Sequence, residues 1–296
     1  MKILFNKLFF EHNTKSEAEG SYRINEFKDI EDTYAEGEKW LSLVHPVEYI
    51  EKIKKSCFNN EVLAEVELTP KSWEAACLSV GLAVKATENG DFAAVRPPGH
   101  HAGFDRPAGF CLFNNMAIAS QKLVNQGKKV FILDIDGHHG NGTQEIFYDS
   151  DKVFYCSVHQ EYAYPFTGFP TETGSGNGVG YTVNYPLMSG GDDKALLDRV
   201  DKAIIKAREF QPDVIGVSAG FDGYEKDRLL QLKFTLRGYY ESAFRLKKNF
   251  RKIPVFAVLE GGYHYAIRPL TDAFIEGINN GKKPPRIKYN EDMAIG

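Results

Sequence analysis

Lys129-Val130-Phe131-Ile132-Leu133-Asp134-Ile135-Asp136-Gly137-His138-His139-Gly140-Asn141-Gly142 joins an apolar run to a cluster of acids, imidazoles and glycines. The run is short and rich in branched and aromatic side chains, so it reads as a buried strand. Side chains alternate along a strand with a period of two, which lets Asp134, Asp136 and His138 face one side where it ends. Two carboxylates and an imidazole converging there make a hard, compact metal site. The carboxyl ends of strands are also where open α/β sheets bind ligands.

Outward from this segment the chain alternates strand-like and helix-like stretches. Strands are expected over residues 2–6, 92–96, 129–134, 153–158, 213–218 and 254–259. Helices are expected over 46–56, with Val47, Ile50 and Ile53 on one face, and over 115–125, 192–210 and 235–249. Thr69-Pro70 places an N-cap before proline at the first helical position and opens a helix to about residue 87. The βαβα order predicts an α/β fold, a three-layer α/β/α arrangement with a mostly parallel sheet, in a single domain over 1–296. The polar tail 279–296, with Pro284-Pro285, reads as a surface wrap or frayed end.

Composition narrows the function classes. The net charge of -4 leaves no basic field to hold nucleic acid. The densest basic cluster, Lys247-Lys248 with Arg251-Lys252, is short and reads as a solvated face. No apolar run approaches the roughly 20 residues needed to cross a membrane. The N-terminal MKILFNKLFF is too short for a secretory h-region with flanks and reads as the first strand. Cys57, Cys77, Cys111 and Cys156 form no CxxC pair and look like reduced cysteines of a cytoplasmic protein.

Four predicted strands are followed by loops that mix glycine with His, Asp or Tyr. They contain His100-His101, the segment quoted first, Asp222 within Ser218-Ala219-Gly220-Phe221-Asp222-Gly223-Tyr224, and Glu260-Gly261-Gly262-Tyr263. A lone Asp or His at a strand end is most often a cap or turn residue. Several such loops on one sheet edge make a site. Asp136, His138 and Asp222 supply three ligands and leave room on Zn²⁺ for water and a substrate carbonyl. Asp134, one strand period behind, suits a supporting acceptor or a monovalent cation. His100 and His101 offer a base for water and an acid for a leaving amine, with Asp134 and Asn141 as candidate partners, the acid raising an imidazole's pKa and the neutral amide not. Tyr263 can donate to a developing oxyanion.

Taken together, RPPGHHAG (96–103), GFCLFNN (109–115), ILDIDGHHGNGTQEIF (132–147), SVH (157–159), SAGFDGY (218–224) and EGGY (260–263) resemble the histone deacetylase superfamily. The EGGY ending and Asn141 resemble its class II and bacterial branches. His12-Asn13-Thr14-Lys15-Ser16-Glu17 and the 164–176 stretch are similar to acetylpolyamine amidohydrolases. The resemblance implies the arginase/deacetylase fold and Zn²⁺ on Asp136, His138 and Asp222. It implies His101 as general base and acid held by Asn141, His100 as an electrostatic partner held by Asp134, and Tyr263 polarising the acyl carbonyl. Phe110 and Tyr164 would wall the acyl tunnel, with Phe166 the alternative to Tyr164. Gly109 would offer its carbonyl to the substrate amide, and Gly261 would flank it. Structural K⁺ is implied at Asp134, Asp136, His138, Ser157 and Val158, and at Phe147, Ser150, Val153 and Tyr181.

The implied reaction is hydrolysis of an acetyl or other short acyl amide of an alkylamine, such as acetyl-lysine or an acetylpolyamine. The span from Cys57 to Thr69 is short, where polyamine enzymes of the family carry a longer insertion that narrows the entrance and builds a dimer. Glu17 and Glu19 read as exposed acids, solvated or facing a polyamine cation. Two other readings compete: a non-catalytic acyl-ligand binder on the same fold, and a binuclear manganese ureohydrolase. The second lacks extra carboxylates, since Gly140 and Gly223-Tyr224 stand where they would be needed.

Overall fold

The computed structural model describes residues 1–280. In chain order the strands are β1 (Ile3–Leu4), β2 (Val62–Leu63), β3 (Val66–Glu67), β4 (Phe92–Ala93), β5 (Val130–Asp134), β6 (Val153–Gln160), β7 (Thr182–Leu187), β8 (Val214–Ala219) and β9 (Val255–Leu259). The helices are α1 (Val47–Phe58), α2 (Pro70–Asn89), α3 (Asn115–Asn125), α4 (Asn141–Phe147), α5 (Asp193–Phe210), α6 (Leu236–Asn249) and α7 (Ile267–Asn280). Seven strands form one sheet in the order β1-β4-β9-β8-β5-β6-β7. Every pairing in it is parallel. β2 and β3 form a separate antiparallel hairpin.

Every residue of β5, β6, β8 and β9 is buried, as expected for strands covered on both faces. The helices form two packed groups, α1–α2–α3 and α5–α6–α7, which flank the sheet. Their ends obey local rules. Ser72 Oγ accepts the Thr69 N–H at 3.0 Å where α2 begins, and Gly90 closes α2 at φ 70°. Asp192 caps α5 by accepting from the Ala195 N–H at 3.1 Å. Because all connections run in parallel, the loops after β4, β5, β6, β8 and β9 emerge on one edge.

The structure departs from the sequence reading in a few places. Val47 is 61% exposed, and the buried face of α1 is Tyr49, Ile50, Ile53, Ser56 and Cys57. At about 100° per residue, Val47 lies about 120° around the helix from Ile53, off the covered stripe. The strand β7 contains Pro186 and reads poorly as a strand, yet it sits at the sheet edge, where proline is tolerated. The helices α4 and α7 and the β2–β3 hairpin were also absent from the sequence reading. Of the tail expected over 279–296, the first two residues belong to α7 and the rest lie outside the described residues.

Gly37 is forced by close packing. A Cβ there would fall 1.7 Å from the Cys77 carbonyl oxygen and 2.7 Å from Gly81 N, both in α2. Gly37→Ala should therefore lower stability by about 1–3 kcal/mol through overpacking, measured as a reduced midpoint in urea with an unchanged slope.

Candidate active site

The loop after β5 is the centre. Asp136, His138 and Asp222 are buried, and one potential ligand atom from each lies within 4.8 Å of the others. His138 Nδ1 is 2.5 Å from Asp222 Oδ2 and 3.5 Å from Asp136 Oδ1. Backbone groups aim the carboxylates. Asp136 accepts the His138 N–H at 2.9 Å and the Gly261 N–H at 2.7 Å, while Asp222 Oδ1 accepts the Gly137 N–H at 2.5 Å. Asp222 Oδ2 is thereby left facing His138.

Burial pushes the Asp222 carboxyl up to about 7, and the charge of Asp136 adds to the rise. Burial would also raise Asp136, but the His100 and His138 imidazoles outweigh it and hold that carboxyl below the usual range. Burial would lower His138, yet Asp222 and Asp136 draw it up to about 10. Two buried carboxylates and one imidazole competing for protons form a donor set that a divalent cation would neutralise, and the set fits Zn²⁺.

His100 and His101 sit on the loop after β4, with ring centroids 4.0 Å apart, yet their surroundings differ. His100 Nδ1 meets Asp134 Oδ2 at 3.1 Å, and that oxygen also accepts the Tyr155 hydroxyl at 2.9 Å. Burial lowers His100, but Asp136 and Asp134 outweigh it and raise the imidazole to about 10. His101 Nδ1 meets Asn141 Oδ1 at 2.9 Å. An amide oxygen only accepts, so Nδ1 carries the proton and Nε2 keeps its lone pair. Burial first, then His100 and His138, hold His101 well below the ordinary imidazole value. One imidazole of the pair is poised as a cation and the other as a neutral base.

A cavity of about 240 Å³ opens beside these groups, lined by Glu65, His101, Gly109, Phe110, His138, Tyr164, Leu229 and Tyr263. Tyr164 lies 5.1 Å from the His101 ring and Phe110 lies 5.9 Å from the Tyr263 ring, centroid to centroid. Phe166 is 69% exposed and is not among the lining residues, whereas Tyr164 is. Gly261 is not among the lining residues and meets Asp136 through its N–H. Glu65 belongs to the turn between β2 and β3, which docks when the Phe110 N–H donates to the Ala64 carbonyl at 3.0 Å.

The residues expected to hold K⁺ fall in two places. Asp134 and Ser157 are register partners on β5 and β6, with Asp136, His138 and Val158 buried beside them. Phe147, Ser150, Val153 and Tyr181 lie toward the opposite end of β6. There Ser150 N–H donates to the Phe147 carbonyl at 3.1 Å and Tyr155 N–H to the Tyr181 carbonyl at 2.9 Å.

Several residues around the site were not read from sequence. Arg23 donates to the Gly262 carbonyl at 2.5 Å and the Glu260 carbonyl at 2.6 Å, and its guanidinium lies 4.9 Å from the Tyr263 ring centroid. Glu19, expected to be exposed, is fully buried, and its Oε1 accepts from Arg23 at 3.1 Å and Arg96 at 2.7 Å. The expectation failed because Arg96 stands 77 positions away, and the near partner Arg23, at i+4, gives no sign in sequence that it is buried; Glu17 is exposed as read. The one available signal was arginine between Tyr22 and Ile24, in a 3-10 segment that buries Ile24 and Phe27. Among the described residues one acid and imidazole group suits a metal. A second metal ligand at position 140 is excluded sterically, since a Cβ there would fall 2.2 Å from Asp134 Oδ2.

The fit of the Asp136, His138 and Asp222 donor set to Zn²⁺ predicts that Asp222→Asn loses tight retention of added zinc while keeping the fold, because an amide cannot supply the charge that offsets the ion. Metal analysis after dialysis, beside circular dichroism, checks this.

The histone deacetylase domain model matches residues 12–277. A probable deacetylase of Archaeoglobus fulgidus is 40% identical over 233 residues, covering 74% of this chain and 65% of that protein. The acetylpolyamine amidohydrolase of Mycoplana ramosa is 38% identical over 210 residues, covering 68% of this chain and 61% of that protein. The chain thus spans a little under two thirds of the length of these two relatives. Among solved structures, the HD domain of HDA15 superposes with a TM-score of 0.87 at 30% identity, covering 94% of this chain and 87% of that one. The acetylpolyamine aminohydrolase from Burkholderia pseudomallei superposes with a TM-score of 0.83 at 27% identity, covering 95% and 99%. With nearly its whole described length matched in sequence and in fold, this chain belongs to the histone deacetylase domain family.

Proposed function

We propose that the chain is a zinc-dependent amidohydrolase that removes acetyl or another short acyl group from an alkylamine, as in acetyl-lysine or an acetylpolyamine. One observation carries the reading: His101, whose Nδ1 meets Asn141, the candidate metal ligand His138 and the Tyr263 phenol all line one cavity of about 240 Å³. Zinc held by Asp136, His138 and Asp222 would supply Lewis acidity to the acyl carbonyl and make water more acidic.

The chain's own residues divide the rest. His101 takes the proton of the attacking water at Nε2, with Asn141 holding the ring in the required tautomer. The same nitrogen returns that proton to the leaving amine as the C–N bond breaks, so water and amide give carboxylic acid and amine, and the acid's proton passes to the amine to leave carboxylate and ammonium. Positively charged His100, fixed by Asp134, steadies negative charge as it builds. Burial raises the Tyr263 phenol well above its usual value, with Arg23 opposing, so it stays protonated and donates to the carbonyl oxygen. Phe110 and Tyr164 flank the alkyl stem and exclude water, and Gly109 offers its carbonyl to the amide N–H. Glu65 adds a carboxylate to an otherwise mostly apolar wall, which favours a substrate with a second positive charge. K⁺ on the two residue sets named above is part of the same proposal.

The test is turnover of acetyl-lysine peptides, acetylputrescine, acetylcadaverine and acetylspermidine, with longer acyl groups included, before and after chelation. Chelator-sensitive hydrolysis of at least one amide is expected. A fully zinc-loaded chain inert toward all of them would favour the acyl-ligand binder instead. Tyr263→Phe should lower kcat by about 10²–10³-fold with zinc content unchanged; loss of zinc in that variant would mean Tyr263 has another role.

A further inference from the structure

We infer that Glu260 is a positioning residue whose buried carboxylate ties the loop bearing His100 and His101 to the loop bearing Tyr263. Glu260 directly follows β9, which lies between β4 and β8 in the sheet. Its side chain reaches to both neighbours. Oε2 accepts the Gly99 N–H at 2.8 Å and the His100 N–H at 3.0 Å, beyond the end of β4. Oε1 accepts the Ser218 hydroxyl at 3.0 Å, on β8. Its main chain is fixed as well: the N–H donates to Ala219 at 3.2 Å and the carbonyl accepts from Arg23 at 2.6 Å. The next residue, Gly261, holds Asp136 through its N–H.

The carboxylate is fully buried and does not line the cavity. Burial pushes it up to about 7, opposed chiefly by the nearby His100 charge. A buried acid is costly, and an aliphatic side chain would fill the same volume without that cost. What the acid adds is two acceptor atoms that meet three donors from two strand-end segments. It thereby sets the separation between the base on one loop and the phenol on the other. A displacement of about 1 Å in such a pair costs on the order of 100-fold in rate.

The inference rests on the proposed amide hydrolysis, and the variants separate the two. Glu260→Gln keeps the length and an acceptor oxygen, and its amide can donate to Ser218. Glu260→Asp keeps the charge and withdraws it by about 1.5 Å. The Gln variant should stay within about threefold of the unaltered kcat. The Asp variant should lose at least about tenfold in kcat with KM within about twofold and normal zinc content. Its crystal structure should show His101 and Tyr263 further apart, a readout independent of turnover. If the Asp variant fails to fold, Ser218→Ala takes its place, with a smaller fall in kcat expected at unchanged KM. An Asp variant with full kcat and unmoved loops would overturn the inference. So would a Gln variant that falls as far as Asp, because charge rather than reach would then matter. A zinc-loaded unaltered chain without turnover would defeat the hydrolase reading, while the loop separation would still test Glu260.

Discussion

Two carboxylates are buried side by side at the edge of this sheet, and much of the surrounding structure answers that constraint. Asp136 and Asp222 would repel each other and lose their hydration if left without donors. The chain meets them with the N–H groups of His138, Gly261 and Gly137 and with the imidazole of His138. Those donors come from the loops after β5 and β9, while Asp222 itself follows β8. The parallel order that brings the ends of β5, β8 and β9 together is therefore a condition for burying the pair. A divalent cation bound between them would relieve the remaining charge competition.

The same edge turns two neighbouring residues into opposites. His100 and His101 share a loop and nearly touch, but they meet different partners. The carboxylates of Asp136 and Asp134 draw His100 up against its burial, while burial and the neighbouring imidazoles hold His101 down, and the Asn141 amide adds no charge to counter them. The positive His100 then helps to keep its neighbour neutral. Gly140 is part of this arrangement, because any side chain there would enter the space between Asp134, Tyr155 and His100.

What was legible in sequence follows from how each signal is written. The strands β5, β8 and β9 are mostly apolar runs and β6 opens on one, residues 153–156, so hydrophobicity finds them. The strand β7 carries asparagine and proline and is held by its edge position, which no local pattern encodes. The ligand and acid/base residues stand among glycines at strand ends, so their loops announce themselves. Residues that act through backbone groups far away in sequence leave no such mark. Glu260 and Gly99 are 161 positions apart, and Arg23 and Gly262 are 239 apart. Only the folded chain brings them together.

Glu19 marks the limit most clearly. In sequence it is one acid among polar neighbours, and an exposed role near a cationic substrate suits it. In the structure it is an anion between two buried arginines, and one oxygen serves both. Of these, Arg96 ties the N-terminal segment to the end of β4 by donating to the Phe9 and His12 carbonyls. Arg23 holds the carbonyls of Glu260 and Gly262 and lies against the Tyr263 ring. Removing the Glu19 charge would leave two guanidinium groups buried close together with no anion between them, a far costlier defect than losing a surface acid. The acid that seemed placed to meet a substrate instead fixes the arginine that fixes Tyr263, and the rim carboxylate facing the cavity is Glu65.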